Sequence, residues 1–432
     1  MYVSDCIDIN NEGHLTIGGY DTVKIAKEFG TPVYVMDENQ IRKNCREFVK
    51  SIDDNYSGKG MALYACKAFC CKEMCKIIEQ EGMGLDVVSG GELFTAISAG
   101  FPAEKIYFHG NNKTKKELKQ AIKYGVGKIV VDNIYELEDL NTLAQKADIK
   151  VKILMRIKPG IDAHTHDFIR TGQIDSKFGF ALETGEAMEA VKKAASMSNV
   201  ELVGVHCHIG SQIFDIDPFE LAAELMIGFI AKIKAETSLE LGELNLGGGF
   251  GIKYMETDKP RPLTEYMQNV AKVVNEHSKK FDIKTPFILI EPGRSIVGPA
   301  GITLYTVGGV KNIPGIRTYV SVDGGMVDNP RYILYQAQYE ILCANKANEE
   351  RSQTVTIAGK CCESGDLVQE NTKIQRVEKG DILAVLSTGA YNHSMASNYN
   401  RIGRPPVVMI KDGKARVVVK GETYEDLIRN DI

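Results

Sequence analysis

The sequence has no excess of basic residues, no hydrophobic run long enough to span a bilayer and no secretory signal at its amino terminus. Its formal net charge is −5 at pH 7. An acidic balance argues against a nucleic-acid partner, because binding a phosphate backbone requires a basic face. These absences predict a globular cytoplasmic protein with neither a membrane nor a nucleic-acid partner.

Cys-x-x-Cys pairs are absent as well, although the chain contains ten cysteines. Four of them lie close together, at Cys66, Cys70, Cys71 and Cys75. One interpretation is a metal or redox cluster, but the pairs at helical spacing have no nearby histidine partners. The other interpretation is reduced thiols that pack as small apolar groups. We expect the second and predict no metal site.

Segments of strand and helix character alternate through the first two-thirds of the chain, and several strands are apolar on both faces, as in a parallel sheet covered by helices. The predicted strands are Ala62–Cys66, Gly84–Val88, Ile106–His109, Lys128–Asp132, Lys152–Ile157, Leu202–Cys207, Glu243–Leu246 and Phe287–Ile290. Eight such units in about 250 residues indicate a (β/α)8 TIM barrel. In the alternative, a Rossmann-type open sheet, the glycine-rich turn would follow the first strand, whereas here it follows the seventh.

Beyond about residue 295 the helical periodicity fades and short β-rich runs follow one another. Asp412-Gly413 in the last run is a strong signal for a two-residue hairpin turn. The first thirty-odd residues are also strand-like. We therefore predict a barrel over 37–292 and a discontinuous antiparallel β domain over 1–36 plus 293–432. The irregular segment 160–179 is expected to form a functional loop at the barrel mouth.

Lys67 and the segment Gly247–Gly251 follow the first and seventh strands, at the face of a barrel where active sites lie. The apolar flanks of Lys67 would desolvate its amine and make it a nucleophile, although a surface lysine on the barrel rim is the alternative. The glycines could form an anion-binding nest, or simply a flexible turn. Arg294, after the eighth strand, could help neutralise a phosphate.

Glu291 ends the eighth strand, and His206 and His208 share one face at the end of the sixth. A carboxylate can keep a pyridine nitrogen protonated, and an imidazole can lie flat on the ring. Each residue also has a purely structural alternative, such as an ion pair of Glu291 with Arg156 or Arg294. Together these side chains supply the groups that hold and use pyridoxal phosphate.

The motifs extend this pattern over almost the whole chain, from about residue 20 to residue 430. They are Tyr64-Ala65-Cys66-Lys67-Ala68, Asp86–Glu92, His164-Thr165-His166, Ser176–Gly179, His206–Gln212, Gly247–Gly251, Glu291–Arg294, Asn329–Tyr332, Cys362–Asp366, Gly389–Tyr391 and Ser394–Asn400. In these segments the sequence resembles the diaminopimelate decarboxylase family, within the alanine-racemase-type (fold type III) pyridoxal-phosphate enzymes.

The resemblance implies a role for each matching residue. Lys67 would carry pyridoxal 5'-phosphate, His208 would stack on its ring and Glu291 would pair with the pyridine nitrogen. The remaining cofactor ligands implied are Asp86, Ser211, Gly248, Gly249, Arg294 and Tyr391. The substrate ligands implied are Arg294, Arg331, Tyr335, Glu363 and Tyr391. Cys362 would be the acid that returns a proton, and Cys362 and Glu363 would reach the neighbouring site of a homodimer.

The implied reaction is decarboxylation of meso-2,6-diaminopimelate to L-lysine, the last step of lysine biosynthesis. A doubled cysteine, Cys361-Cys362, leaves open which thiol faces the site, and Cys362 is preferred because Glu363-Ser364-Gly365 follows it. Decarboxylation of ornithine, lysine or arginine on the same scaffold is an alternative that the Arg331 motif disfavours. A non-catalytic pyridoxal-phosphate-binding homologue is a second alternative, and such a protein would usually have lost Lys67 or Cys362.

Overall fold

A computed structural model of the chain describes residues 3–161 and 175–432, and these divide into two compact units. The barrel unit comprises Cys45–Gly251 and Pro260–Gly293, and the β unit comprises Met1–Asn44, Ile252–Lys259 and Arg294–Ile432. The units differ from the predicted domains at 37–44 and at Ile252–Lys259, which both group with the β unit. Most of the predicted loop at 160–179, with the motif His164-Thr165-His166, lies outside the described residues.

The segment Ile252–Lys259 belongs to the β unit because its apolar side chains pack there. Ile252 and Tyr254 are buried in one hydrophobic cluster with Tyr305 and Tyr339. Sequence periodicity cannot reveal this assignment, since the segment is an irregular excursion between a barrel strand and a barrel helix.

The barrel unit contains a closed sheet of eight parallel strands. The strands are Gly60–Ala65, Gly84–Val87, Ile106–Phe108, Lys128–Val131, Val151–Lys158, Val200–His206, Glu243–Asn245 and Phe287–Ile290. The eighth strand pairs with the first, with Ile288 opposite Gly60, and this pairing closes the barrel. Leu63, Tyr107, Val130, Leu154 and Leu289 form a buried cluster on its strands. The predicted strands and the TIM-barrel fold are confirmed.

Helices follow the barrel strands, and several begin at a side-chain cap. They are Lys72–Gln80, Gly90–Ser98, Lys115–Tyr124, Ile134–Lys146, Glu186–Ala195, Asp217–Thr237 and Leu263–Lys280, and the helix Glu38–Tyr56 precedes the first strand. Ser89, Thr114 and Asn133 each accept a hydrogen bond from the backbone N–H three residues later. Such N-caps fix where a helix starts, and therefore how long the loop before it is. Two 3-10 turns, Cys66–Ala68 and Ala103–Lys105, and a short strand, Phe180–Ala181, complete this unit.

The β unit contains a three-stranded sheet and a larger, mixed sheet. Its strands are Ile7–Ile9, Leu15–Ile17, Tyr20–Asp21, Val33–Asp37, Gly301–Ile313, Arg317–Val322, Ile341–Cys343, Gln353–Ala358, Leu367–Ile374, Ile382–Val385, Val407–Lys411 and Lys414–Val419. Its helical segments are Thr22–Phe29, Arg294–Val297, Arg331–Tyr335, Ala344–Lys346, His393–Met395, Tyr399–Arg401 and Tyr424–Ile428.

Most strand pairs of this unit are antiparallel, as predicted, but two pairings are parallel. Val33–Asp37 runs parallel to Val407–Lys411, and Arg317–Val322 runs parallel to Gln353–Ala358. Parallel neighbours need long connections rather than hairpins, and these strands are far apart in sequence. The first pairing also confirms that the amino-terminal segment joins the β unit.

The predicted hairpin between Val407–Lys411 and Lys414–Val419 is confirmed. Both central residues, Asp412 and Gly413, have positive φ, as a two-residue turn of this kind requires. No helix among the described residues has the length and apolar content needed to cross a bilayer.

Glu38 ties the start of the helix Glu38–Tyr56 to this hairpin. Its buried carboxylate meets Arg42 Nε at 2.8 Å, Lys411 Nζ at 2.8 Å and Arg416 Nη2 at 2.6 Å. Burial acts to raise the pKa of Glu38, but the hydrogen bonds from these cations lower it to about 2. The ionised carboxylate therefore stabilises the β unit at neutral pH.

We predict that Glu38→Gln lowers the free energy of unfolding at pH 7 by about 2 kcal/mol, because it removes the buried anion that three part-exposed cations share. Since the folded-state pKa lies below the ordinary value of 4.5, the difference from the unsubstituted chain should persist above that pH and shrink as the pH falls toward 2. Urea unfolding at a series of pH values measures it. Asp54→Asn, which breaks an exposed pair with Lys50 on the same helix, is the control, with an expected cost below about 0.5 kcal/mol. Equal losses in the two variants would contradict the assignment.

Candidate active site

Glu291 lies buried where the eighth barrel strand ends, and nitrogen atoms from three other strand ends surround its carboxylate. Asn245 Nδ2 donates to Oε1 at 2.7 Å, and His109 Nε2 lies 2.9 Å from the same oxygen. His206 Nε2 lies 3.3 Å from Oε2. The sequence alternative of an ion pair with Arg156 is not seen among the described residues, because Arg156 Nε lies near Asp132 Oδ1, at 3.8 Å.

The electrostatics of this cluster keep Glu291 ionised. Burial acts to raise its pKa, but His109 and His206 hold it well below the ordinary value. Burial lowers the pKa of His206 to about 4, against the attraction of Glu291. His206 is therefore neutral near pH 7, and its Nε2–H can donate to the carboxylate. The barrel thus holds a negative charge at the end of its eighth strand.

Asn245 also connects this carboxylate to the glycine-rich loop. Its Oδ1 accepts a hydrogen bond from Gly247 N at 2.9 Å, while its Nδ2 donates to Glu291. Gly248 N in turn donates to His208 Nδ1 at 3.2 Å. His208 is half-buried, and burial lowers its pKa well below the ordinary value, with a further lowering by Lys67. A neutral imidazole is therefore held beside the loop, as expected for a ring that stacks on a cofactor.

The glycine loop is tightly packed, and its shape excludes side chains. A Cβ at Gly248 would lie 2.2 Å from Glu291 O. Gly249 has φ +111°, and a Cβ there would lie 2.7 Å from Gly210 O. The amides of Gly247 and Gly248 donate to acceptors within the protein. Fewer backbone N–H groups are therefore left to bind an anion than the four glycines of the segment predict. The Gly249 N–H has no acceptor among the residues with described positions, and it can therefore donate to an anion.

Lys67 lies in the 3-10 turn Cys66–Ala68, directly after the first strand. Cys66 and Ala68 are buried, whereas Lys67 is exposed. The desolvation that we expected from its apolar flanks is therefore wrong, because the Lys67 side chain is exposed although its neighbours in sequence are buried. Lys67 nevertheless acts electrostatically on two neighbours, lowering the pKa of His208 and opposing the effect of burial on Asp86.

Asp86, on the second strand, is buried near this cluster. Burial raises its pKa, and His109 and Lys67 act in the opposite direction. Its Oδ1 lies 3.7 Å from His109 Nε2 and has no hydrogen-bond partner among the described residues. A buried carboxylate oxygen without a donor is unusual in a folded protein.

Ser211 lies in the loop that follows the sixth strand. This loop contacts the glycine loop, since Ile213 N donates to Gly249 O at 2.9 Å.

In the β unit, Arg294 and Arg331 converge on a single tyrosine. Arg294 Nη1 donates to Tyr254 Oη at 2.6 Å, and Arg331 Nη1 donates to the same oxygen at 3.0 Å and to Tyr339 Oη at 2.7 Å. Burial acts to raise the pKa of Tyr254, but the two guanidinium groups lower it. Among the described residues, no carboxylate lies within ion-pair distance of Arg331. Two guanidinium groups therefore share one phenol oxygen, and this arrangement concentrates positive charge at a position suited to an anion.

Two further predicted ligands stack on these arginines. The Arg294 guanidinium lies 4.8 Å from the centre of the Tyr391 ring, and that of Arg331 lies 6.0 Å from the Tyr335 ring. Of the doubled cysteines, Cys361 is buried, whereas Cys362 and Glu363 are exposed. The preference for Cys362 as the acid stays a prediction.

Sequence reasoning missed four residues of these clusters: His109, Asn245, Tyr254 and Tyr339. A signal was present for the first two, since each lies at the carboxyl end of a barrel strand, where polar residues of a TIM barrel are usually functional. No comparable signal marks Tyr254 or Tyr339, because their importance comes only from the arginines that they contact.

All ten cysteines are free of disulfide bonds.

Comparison with known proteins identifies the class of this fold and site. The family model "Pyridoxal-dependent decarboxylase, pyridoxal binding domain" matches residues 38–298. The chain is 50% identical to a diaminopimelate decarboxylase of Bacillus subtilis, over 98% of this chain and 96% of that protein. It is 49% identical to one of Halalkalibacterium halodurans, over 100% and 98%. A crystal structure of diaminopimelate decarboxylase from M. jannaschii in complex with L-lysine superimposes with a TM-score of 0.92, at 36% identity, over 100% of this chain and 99% of that one.

The barrel, with its pyridoxal-binding match, makes the chain a fold type III pyridoxal-phosphate-dependent decarboxylase. Within that class, the identity over nearly the full length shows that it belongs to the diaminopimelate decarboxylase family. The residues fit the cofactor, since a pyridine nitrogen suits ionised Glu291 and an anionic phosphate suits the Gly249 amide, which has no acceptor among the described residues.

We predict that Gly249→Ala weakens binding of pyridoxal phosphate at least about tenfold. A Cβ at positive φ costs on the order of 1–2 kcal/mol before the clash with Gly210 O is counted. Gly242→Ala is the matched control, because a Cβ there meets nothing within 4 Å. Titration of each apoprotein with the cofactor, followed by absorbance, measures the affinity. Unchanged affinity in Gly249→Ala would show that this glycine does not shape the phosphate site.

Proposed function

We propose that the protein decarboxylates meso-2,6-diaminopimelate to L-lysine with pyridoxal 5'-phosphate as cofactor. The observation that carries the proposal is the ionised Glu291, which a hydrogen-bond chain joins to the glycine loop and His208 at the same barrel mouth as Lys67. The membership in the diaminopimelate decarboxylase family supports the same reaction.

In the barrel unit, each residue would act on the cofactor through a group already in place. Lys67 would attach it through the ε-amine, and Glu291 would hold a proton at the pyridine nitrogen. Neutral His208 would support the ring face, and Asp86 would contribute a further polar contact. Ser211, Gly248 and Gly249 would bind the phosphate, and Arg294 and Tyr391 of the β unit would contribute to the same role. When bound, pyridoxal phosphate supplies an electron sink for the charge left at Cα.

The substrate roles fall to residues of the β unit. Arg294, Arg331, Tyr335 and Tyr391 would bind and orient a carboxylate. The bond between Cα and the other carboxylate breaks and CO2 leaves. Cys362 would then transfer the proton of its thiol to Cα, and the substrate's distal ammonium would pair with Glu363. Orientation of the breaking bond is the protein's main contribution to the rate.

The positive charge around Tyr254 favours a substrate with two carboxylates. One carboxylate is lost, and a second remains to pair with the guanidinium groups of Arg294 and Arg331. Ornithine, lysine and arginine have only the carboxylate that leaves, so they would offer no anion to the buried guanidinium group of Arg331. Decarboxylation of a basic amino acid is therefore disfavoured.

We further infer a homodimer in which Cys362 and Glu363 serve the partner's site. Both residues are exposed, together with Ser364 and Gly365, as expected of a segment that acts outside its own chain. A cytoplasmic location remains a prediction.

The direct test is release of CO2 from meso-diaminopimelate by the purified holoenzyme, with L-lysine as the second product. L-ornithine and L-lysine serve as competing substrates and should release none. Lys67→Ala should lower the rate on the order of a thousandfold or more, and borohydride should fix the cofactor to Lys67 in the unsubstituted protein only. Release of CO2 from L-ornithine but not from meso-diaminopimelate would contradict the proposal and support decarboxylation of a basic amino acid.

Arg331→Met tests the substrate carboxylate site. Loss of a charged hydrogen-bond donor costs about 1.5–3 kcal/mol, so the KM for meso-diaminopimelate should rise about tenfold or more, with the cofactor absorbance unchanged. Arg317→Met, which breaks a part-exposed pair with Glu370 in the same unit, should leave KM within about twofold. Similar KM values in the two variants would show that Arg331 does not bind the substrate carboxylate.

A further inference from the structure

One buried carboxylate joins two loops of the β unit. Asp366 Oδ1 accepts a hydrogen bond from Met326 N at 2.6 Å, and its Oδ2 accepts one from Cys361 N at 2.7 Å. The residue is 3% exposed. The first loop leads into Arg331 and the second contains Cys362. A single side chain therefore connects the segments that carry the proposed carboxylate ligand and the proposed acid.

Two glycines make room for this carboxylate. A Cβ at Gly359 would lie 2.2 Å from Asp366 Oδ2, and one at Gly325 would lie 2.4 Å from Oδ1. The backbone reinforces the connection, since Gly359 N donates to Asp366 O at 2.8 Å and Lys360 N donates to Gly324 O at 2.9 Å. The loops thus close around the Asp366 side chain and leave little space for a different one.

The same contacts separate the two adjacent cysteines. Cys361 is buried, and burial together with its hydrogen bond to Asp366 raises its thiol pKa to about 12. Cys362 is exposed, and its N–H donates to Asn400 Oδ1 at 2.7 Å instead. Cys361 therefore remains a protonated, packed thiol, and only its neighbour is presented to solvent.

We propose that Asp366 is a positioning residue that selects Cys362 rather than Cys361 as the presented thiol and holds it in a fixed relation to Arg331. The role of Cys362 as the acid rests on the proposed function, whereas the selection of the thiol does not. A carboxyl side chain suits this position because each of its two oxygens accepts a backbone hydrogen bond.

Asp366→Asn is the informative substitution, because an amide of the same shape has only one accepting oxygen. Its NH2 group would face a backbone N–H, so one of the two loops must lose its hydrogen bond. Loss of a hydrogen bond to a charged group corresponds to about a tenfold or larger change in an equilibrium. Freed from Asp366, Cys361 becomes accessible.

The experiment is brief alkylation of the holoenzyme with iodoacetamide, followed by mass spectrometry of the peptide that contains both cysteines. In the unsubstituted, substrate-free protein, Cys362 should be labelled first, because iodoacetamide is small enough to enter an open active site. In Asp366→Asn, the ratio of labelled Cys361 to labelled Cys362 should rise about tenfold or more, and kcat should fall while the cofactor absorbance is retained. An unchanged ratio in a folded variant would overturn the proposal.

Asp381→Asn is the matched control. Asp381 is also a buried carboxylate of the β unit and accepts from Glu378 N at 2.8 Å and Lys346 Nζ at 2.7 Å. Its substitution should destabilise the unit without changing the ratio of labelled Cys361 to labelled Cys362. An equal change of this ratio in both variants would show that Asp366 only stabilises the unit and would contradict the proposal.

A second measurement uses the unsubstituted protein and so does not depend on the folding of a variant. The amides of Met326 and Cys361 should be protected from hydrogen exchange, because they donate to a buried acceptor. Rapid exchange at both amides would overturn the proposal. If the labelling results hold but the protein releases no CO2 from meso-diaminopimelate, the proposed function fails and the selection of the thiol stands.

Discussion

The barrel site depends on one constraint, which is that a buried carboxylate must be hydrogen-bonded to stay ionised. Glu291 meets this constraint with nitrogen atoms that follow the third strand and end the sixth and seventh. These residues are distant in sequence: the sixth, seventh and eighth strands are neighbours in the sheet, and pairing of the eighth strand with the first closes the barrel and brings His109 to the same end. Asn245 extends the arrangement to the glycine loop, and Gly248 extends it to His208. Closure of the barrel, the charge of Glu291 and the shape of the loop are therefore coupled.

The β unit uses charge of the opposite sign. Arg294 and Arg331 are buried and share the phenol oxygen of Tyr254, so the positive charge is concentrated where an anionic substrate group can stabilise it. A negative group for a pyridine nitrogen and a positive group for a carboxylate are complementary requirements of one reaction. Tyr254 belongs to the β unit, although barrel residues flank it on both sides in sequence, because its ring packs in the hydrophobic cluster of that unit.

The barrel could be predicted from sequence because its strands are apolar on both faces and recur at regular intervals. Lys67, His208, Glu291 and the glycines could be predicted because strand ends are marked by position. The parallel pairings of the β unit could not, since no hairpin turn signals a partner far along the chain. The exposure of Lys67, and the contacts of Asn245 and Tyr254, depend on which side chains meet in space, and a single sequence does not encode that in any local pattern.

The most direct test of the central claim is the ionisation state of Glu291 itself. Infrared difference spectroscopy of the unsubstituted protein against Glu291→Gln, with 13C-labelled glutamate, reports that state from pH 8 down to about pH 5. Because the pKa of Glu291 is held well below its ordinary value, the carboxylate band should persist over the whole range. A protonated carboxylic acid band for Glu291 near neutral pH would contradict the account.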